Sequence, residues 1–245
     1  MHVNISSMKK LKDKFAAYFK EVIYGGIDGI VTTFAVVAGF AGAALSGDQT
    51  MQISFTIVLL FGLANLFADA ASMGLGNFLS VRSEKDLYGA VRKNEAEILI
   101  SQNREKRVST TIRIMQEKGF SEEDTTILIS LYQKNDDYWL DFLMLHDQDM
   151  QDPRGENEIF TGLATFISFM IFGAIPLLPF MLQEEGDPGT AFMYSIIGTA
   201  CALVLLGIMK WRVTGRALAA SLFEVVAVGG TAAVLAYLVG TFFAV

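Results

Sequence analysis

One cysteine and two histidines are all that this 245-residue chain has of the residues that most often build disulfides and zinc sites. Cys201 cannot pair within its own chain, which excludes a disulfide-stapled secreted scaffold. A zinc site built on several cysteines is excluded as well, and the only histidines are His2 and His146. Positive charge is also short. Nineteen Lys and Arg face 26 Asp and Glu, a net charge of −7. Binders of nucleic acid usually carry a basic patch, so binding through bulk charge is excluded. There is no Gly-x-x-x-x-Gly-Lys-Ser/Thr loop, which argues against an ATP-driven pump. Charge of any sign is only 18% of the chain, and residues 159–181 and 190–209 contain none.

The rest is apolar. Hydrophobic residues make up 52%, and mean hydropathy is +0.42. Uncharged runs of this length imply membrane spans. Five long apolar runs are present, two of them the uncharged stretches: Val22–Leu45, Ile53–Val81, Ile159–Met181, Thr190–Met209 and Ala217–Phe243. The first follows a basic amphipathic segment, residues 1–21. It is too long for a signal peptide and carries Asp28, so it reads as a retained span. The second run, as a helix, is about 43 Å long, more than the roughly 30 Å hydrocarbon core, so its end projects into water. The expected fold is an all-α membrane protein. It has transmembrane helices 1–2 within residues 22–81, a helical insert at 82–158, and helices 3–5 within 159–245.

Charge placement orients the spans. All nineteen Lys and Arg lie in the N-terminal segment, in residues 82–158, or in the short loop Lys210–Arg216. The loops Ser46–Gln52 and Gln183–Gly189 hold only acids. Under the positive-inside rule the N-terminus and the insert are cytoplasmic and the C-terminus is extracytoplasmic. The chain shows no organelle signal, so the expected location is a prokaryotic inner or plasma membrane. The insert has 17 acidic and 11 basic residues and a helical pattern. A first helix is expected to continue span two to about Arg107, a second to end at Gly119, a third to start at Ser121-Glu-Glu-Asp124, and a fourth to run over about Asp137–Met150.

Ionisable residues at membrane depth are costly and mark functional sites by default. Asp28 lies in Tyr24-Gly-Gly-Ile-Asp-Gly-Ile-Val-Thr-Thr33, with Tyr24, Asp28 and Thr32 one turn apart. Asp69 lies in Asn65-Leu-Phe-Ala-Asp-Ala-Ala-Ser-Met73. Asn65, Asp69, Ser72, Met73 and Gly76 form one helical stripe. Carboxylate and amide oxygens with a thioether suit a borderline divalent metal. Gly25, Gly26 and Gly29 allow close helix approach. The bland alternative is that the acids only bond neighbouring helices and Met73 only packs. Glu224 is a weaker candidate, within reach of Arg216 by snorkelling.

The two stretches Tyr24–Gly39 and Gly62–Gly76, the latter followed by Leu79-Ser80 and Ser83-Glu84, closely resemble the first- and second-span signatures of the vacuolar iron transporter family. Trp139-Leu-Asp-Phe-Leu-Met144 and Ile175-Pro-Leu-Leu-Pro-Phe180 add weaker echoes. The resemblance runs from about residue 20 to the end. It implies a five-span homodimer with its ion path between subunits, exporting iron(II) or manganese(II) from the cytoplasm in exchange for protons. Asp28 and Met73 match positions along that path. In the insert the resemblance implicates Glu95, Glu97, Glu105, Met144 and Asp147 in holding metal. Val91, Asn94 and Gln102 stand where the family has glutamates, Leu143 replaces one methionine of a pair, and Asn77 replaces an acid.

Three function classes follow. The leading one is a metal(II)/proton antiporter whose cargo is metal and which needs no resident cofactor. The second is a membrane-anchored, metal-responsive protein that does not transport, although an anchor needs no intramembrane acids. The third, an intramembrane serine protease, lacks a His or Lys within the spans, so no enzyme is expected. The orientation is directly testable. A cysteine label at Gly189 is expected to react from the extracytoplasmic side and one at Gly119 only from the cytoplasm. Labelling of both from one side would overturn five spans.

Overall fold

The computed structural model describes residues 18–46, 55–100, 104–182 and 188–243. The basic N-terminal segment, Gln102 and the acidic residues 183–187 lie outside them. Among the described residues the regular elements are all helical. They are α1 (Phe19–Ser46), α2 (Phe55–Ile100), α3 (Arg104–Glu117), α4 (Glu122–Tyr132), α5 (Asp136–His146), α6 (Glu158–Ala174), α7 (Leu178–Leu182), α8 (Pro188–Thr214) and α9 (Leu218–Phe243). Five stretches are long and apolar enough to cross a membrane: Phe19–Gly42, Thr56–Ile100, Glu158–Leu182, Gly189–Thr214 and Leu218–Phe242. The chain is an all-α membrane protein. It divides into two compact units, Met1–Phe78 with Ile159–Val245, and Leu79–Glu158.

In the first unit α1 runs against both α8 and α9. One apolar cluster joins Val37, Leu66, Ala70, Phe169 and Leu177, and another joins Ile30, Leu203, Leu206 and Val225. Lipid tails are as apolar as leucine, so burial alone does not drive helices together in a bilayer; close backbone contact must. Glycine supplies it here. A Cβ at Gly29 would stand 2.6 Å from the Phe169 carbonyl, and one at Gly173 would stand 2.9 Å from the Gly29 carbonyl. Further along α1, a Cβ at Gly240 would run into the Gly39 carbonyl. α1 is thus pressed backbone to backbone against α6 and α9.

The third span is not the single helix that its apolar run predicts. Helix α6 stops at Ala174, a 3-10 turn covers Ile175–Leu177, and α7 restarts the α-helix. Pro176 and Pro179 cannot donate to the helical ladder. Beside the break, the carbonyl of Pro176 accepts a hydrogen bond from Ser195 Oγ at 2.8 Å, which ties it to α8.

The second unit also corrects a boundary. The first insert helix does not reach Arg107: α2 ends at Ile100 and α3 begins at Arg104. An ion pair bears out the break. Arg107 Nη2 lies 2.6 Å from Glu95 Oε1, whereas twelve residues of straight helix would separate them by about 18 Å. The chain must turn back between them. Gly119, at φ +95°, closes the next turn, and Ser121 caps α4 by accepting the Asp124 N–H at 3.1 Å. The last helix is shorter than expected and ends at His146, whose ring lies 4.6 Å from that of Phe142. His146 itself is exposed. Trp139 is fully buried, donates to Thr111 Oγ1 at 2.9 Å and lies under the Arg104 guanidinium.

Two outcomes are expected. Gly29→Leu must push Phe169 backbone that cannot step aside, at a cost of about 1–3 kcal/mol. Thermal unfolding in detergent is expected to fall clearly for Gly29→Leu, whereas Gly76→Ala, with open space around it, leaves the isolated chain unchanged. Equal melting of the two variants would show that the α1–α6 contact is loose.

Candidate functional site

The stripe expected on the second span is present. Asn65 Nδ2 donates to Asp69 Oδ2 at 2.8 Å across one turn of α2. That bond orients the Asp69 carboxylate and leaves Oδ1 free of this donor. Asp28 sits on α1, half-buried, and Thr32 Oγ1 donates to its backbone carbonyl at 2.8 Å. The Thr32 hydroxyl is therefore held in place, with its lone pairs left over. The carboxylates of Asp28 and Asp69 come from different helices and lie close enough to act on one another electrostatically. Met73 is partly buried against the cluster around Leu66 and Ala70. Ser72 and Gly76, further along the stripe, are exposed.

What surrounds these acids is as informative as the acids. Glu224 has two cations: Lys210 Nζ at 2.6 Å and Arg216 Nη1 at 2.9 Å. Lys210 is available because α8 continues past Met209 to Thr214. Among the described residues, the ion pairs fall either within the second unit or on Glu224. None reaches Asp28 or Asp69. Among the described residues, two acids on separate spans thus stand without an ion-pair partner, one of them held by the Asn65 amide.

The whole membrane part of the chain carries a recognisable pattern. Residues 19–241 match the VIT family. The chain belongs to that family. It is 35% identical over 234 residues to the vacuolar iron transporter of Toxoplasma gondii, covering 91% of this chain and 74% of that protein. It is 30% identical over 218 residues to vacuolar iron transporter 1 of Arabidopsis thaliana, covering 89% and 83%. Plasmodium falciparum has a vacuolar iron transporter that is 31% identical over 204 residues, covering 80% and 71%.

The insert residues of this VIT-family chain are dispersed. Glu97 and Glu105 are exposed. Met144 is fully buried among Tyr88, Leu99, Trp139 and Leu143. Glu95 and Asp147 are brought together, but by Arg107, whose other nitrogen Nη1 lies 3.0 Å from Asp147 Oδ2. Among the described residues no three His, Cys, Asp or Glu side chains gather so as to hold a metal ion. Asn77 donates to Thr165 Oγ1 at 2.8 Å and ties α2 to α6.

Three participants escaped the sequence reading. Arg107 lies twelve residues from one partner and forty from the other. Lys210 lies fourteen from Glu224, across a turn, where only Arg216 was foreseen. Ser168 donates to the Val22 carbonyl at 2.6 Å across 146 residues. No local spacing signals any of these. Removing Lys210 tests the contrast: Lys210→Ala leaves Glu224 with Arg216 alone. It is expected to lower the melting temperature by a few degrees while leaving metal uptake unchanged, because Glu224 already has its counter-charges and lies off the site. A loss of uptake at unchanged stability would put Glu224 on the path.

Proposed function

We propose that this protein transports divalent metal ions, iron(II) and manganese(II), out of the cytoplasm in exchange for protons. The observation that carries the reading is the Asp28–Asp69 pair, two carboxylates from different apolar helices with no ion-pair partner among the described residues. Asn65 orients Asp69, Thr32 adds a hydroxyl oxygen, and Met73 adds one soft donor. That mixture favours iron(II) or manganese(II) over alkali ions. A metal binds the deprotonated carboxylate, so its arrival expels whatever proton the pair holds. Protons entering from the other side would release the ion, and exchange follows from that competition. The relatives named as vacuolar iron transporters support the choice of cargo.

The functional unit is a homodimer in this reading. Ser72 and Gly76 continue the Asp69 stripe on a face that is open in the single chain, and Gly76 has nothing within 4 Å of a would-be Cβ. A second copy laid there would complete the coordination around the path. The N-terminus and insert are cytoplasmic and the C-terminus is outside, in a prokaryotic inner or plasma membrane. The exposed insert acids, Glu97 and Glu105, attract cations, an effect that salt screens beyond about 8–10 Å. A non-transporting, metal-responsive anchor is the weaker reading, because nothing about anchoring needs Asp28 or Asp69.

The test is uptake into proteoliposomes with iron(II), manganese(II), cobalt(II) or zinc(II) under a set pH gradient. Asp28→Asn keeps size and hydrogen bonding but loses charge, and is expected to bring uptake to background with the protein still folded. Wild-type uptake by Asp28→Asn would make Asp28 structural. Met73→Ala is expected to reduce uptake severely and Glu105→Ala with Asp147→Ala only modestly. A dead double variant beside an active Met73→Ala would move the decisive site into the insert.

A further inference from the structure

The second unit holds a buried charge cluster. Glu95 on α2, Arg107 on α3 and Asp147 at the end of α5 have side chains only 4%, 11% and 17% exposed. The guanidinium spans both acids, with Nη2 at 2.6 Å from Glu95 Oε1 and Nη1 at 3.0 Å from Asp147 Oδ2. Gln148 Nε2 donates to the same two carboxylates, at 3.2 Å and 3.1 Å. Arg113 reaches Asp147 Oδ1 only at 3.8 Å and from an exposed position. Two atoms are left over inside: Glu95 Oε2 and Arg107 Nε are buried without a hydrogen-bond partner.

We propose that Arg107 is a resident cation seated between Glu95 and Asp147, in the position that a divalent metal ion would otherwise take, and that the insert is closed to metal for that reason. Two carboxylates from separate elements, with four oxygens and a neighbouring side-chain amide, are a partial oxygen shell for a hard divalent cation. The unpartnered Glu95 Oε2 shows that the shell has more acceptor capacity than Arg107 uses. The guanidinium is planar, always charged and forked, so it can serve two carboxylates at once. While it stays, an incoming ion would meet a fixed positive charge within hydrogen-bond distance of both acids. Lysine, one point charge on a flexible stem, could not span the pair in the same way. The inference does not rest on the transport reading.

Manganese(II) binding to the purified full-length protein in detergent, read from the EPR signal of the free ion, tests it. Wild type and Glu95→Gln are expected to bind the same number of ions. Arg107→Gln is expected to gain one further site, at least tenfold tighter than any insert site of the wild type, and Arg107→Gln with Glu95→Gln to lose it again. A site in the wild type that disappears in Glu95→Gln overturns the proposal, as does a folded Arg107→Gln with no gain. Hydrogen exchange on the wild type decides the case if Arg107→Gln does not fold. Unchanged protection around Glu95 and Asp147 with and without manganese(II) supports a closed insert, and protection that rises with the ion overturns it.

Discussion

A carboxylate inside a bilayer has no water to fall back on, and the placement of this chain's cations turns on that constraint. A charge left in hydrocarbon must find a partner, a proton or an ion. Glu224 takes the first course, with Lys210 and Arg216 closing on it from the adjoining turn. Asp28 and Asp69 are denied it. No basic residue of the described chain pairs with them, and each acts electrostatically on the other. The three acids therefore differ in their neighbours, although they look alike in a hydropathy plot.

The second unit repeats the contrast. Glu95 and Asp147 share Arg107 as their common cation. Asp152 is likewise held by Arg154, whose hydrogen bonds pull its carboxyl down to about 2. Acids that already own a guanidinium gain little from a metal ion. Exposed acids such as Glu97 and Glu105 are still open to cations, but hydration and salt weaken any attraction there.

Much of this was legible in the residues. The five apolar stretches are visible because lipid demands about twenty apolar residues per helix. The Asn65–Asp69 bond was visible because residues four apart share a helix face. The glycines of the first span pointed to tight packing, and they pack. Features that depend on which helices meet were not visible. That Asp28 lies near Asp69 follows from how α1 and α2 lie together, which neither segment states. Arg107 reaches Glu95 only because the helix ends at Ile100 and the chain turns back, and an apolar run through Ile98-Leu-Ile100 gives little warning of the stop. Pro176 and Pro179 were quoted as a motif, yet the break they cause in the third span becomes clear only with Ser195 beside the Pro176 carbonyl.

The contacts that hold α1 have a thermal consequence. Gly29 against Phe169 and Gly173, and Gly39 against Gly240, are meetings of main chain with main chain. Such contacts freeze no rotamers on assembly, so they forfeit no side-chain entropy when they form and have none to regain on warming. An interlock of long side chains would loosen gradually as rotamers begin to populate. A glycine seam has no such intermediate slack: it stays closed until the helices part. Asp28, one residue from Gly29, should therefore keep its place almost independent of temperature up to the point at which the bundle itself comes apart.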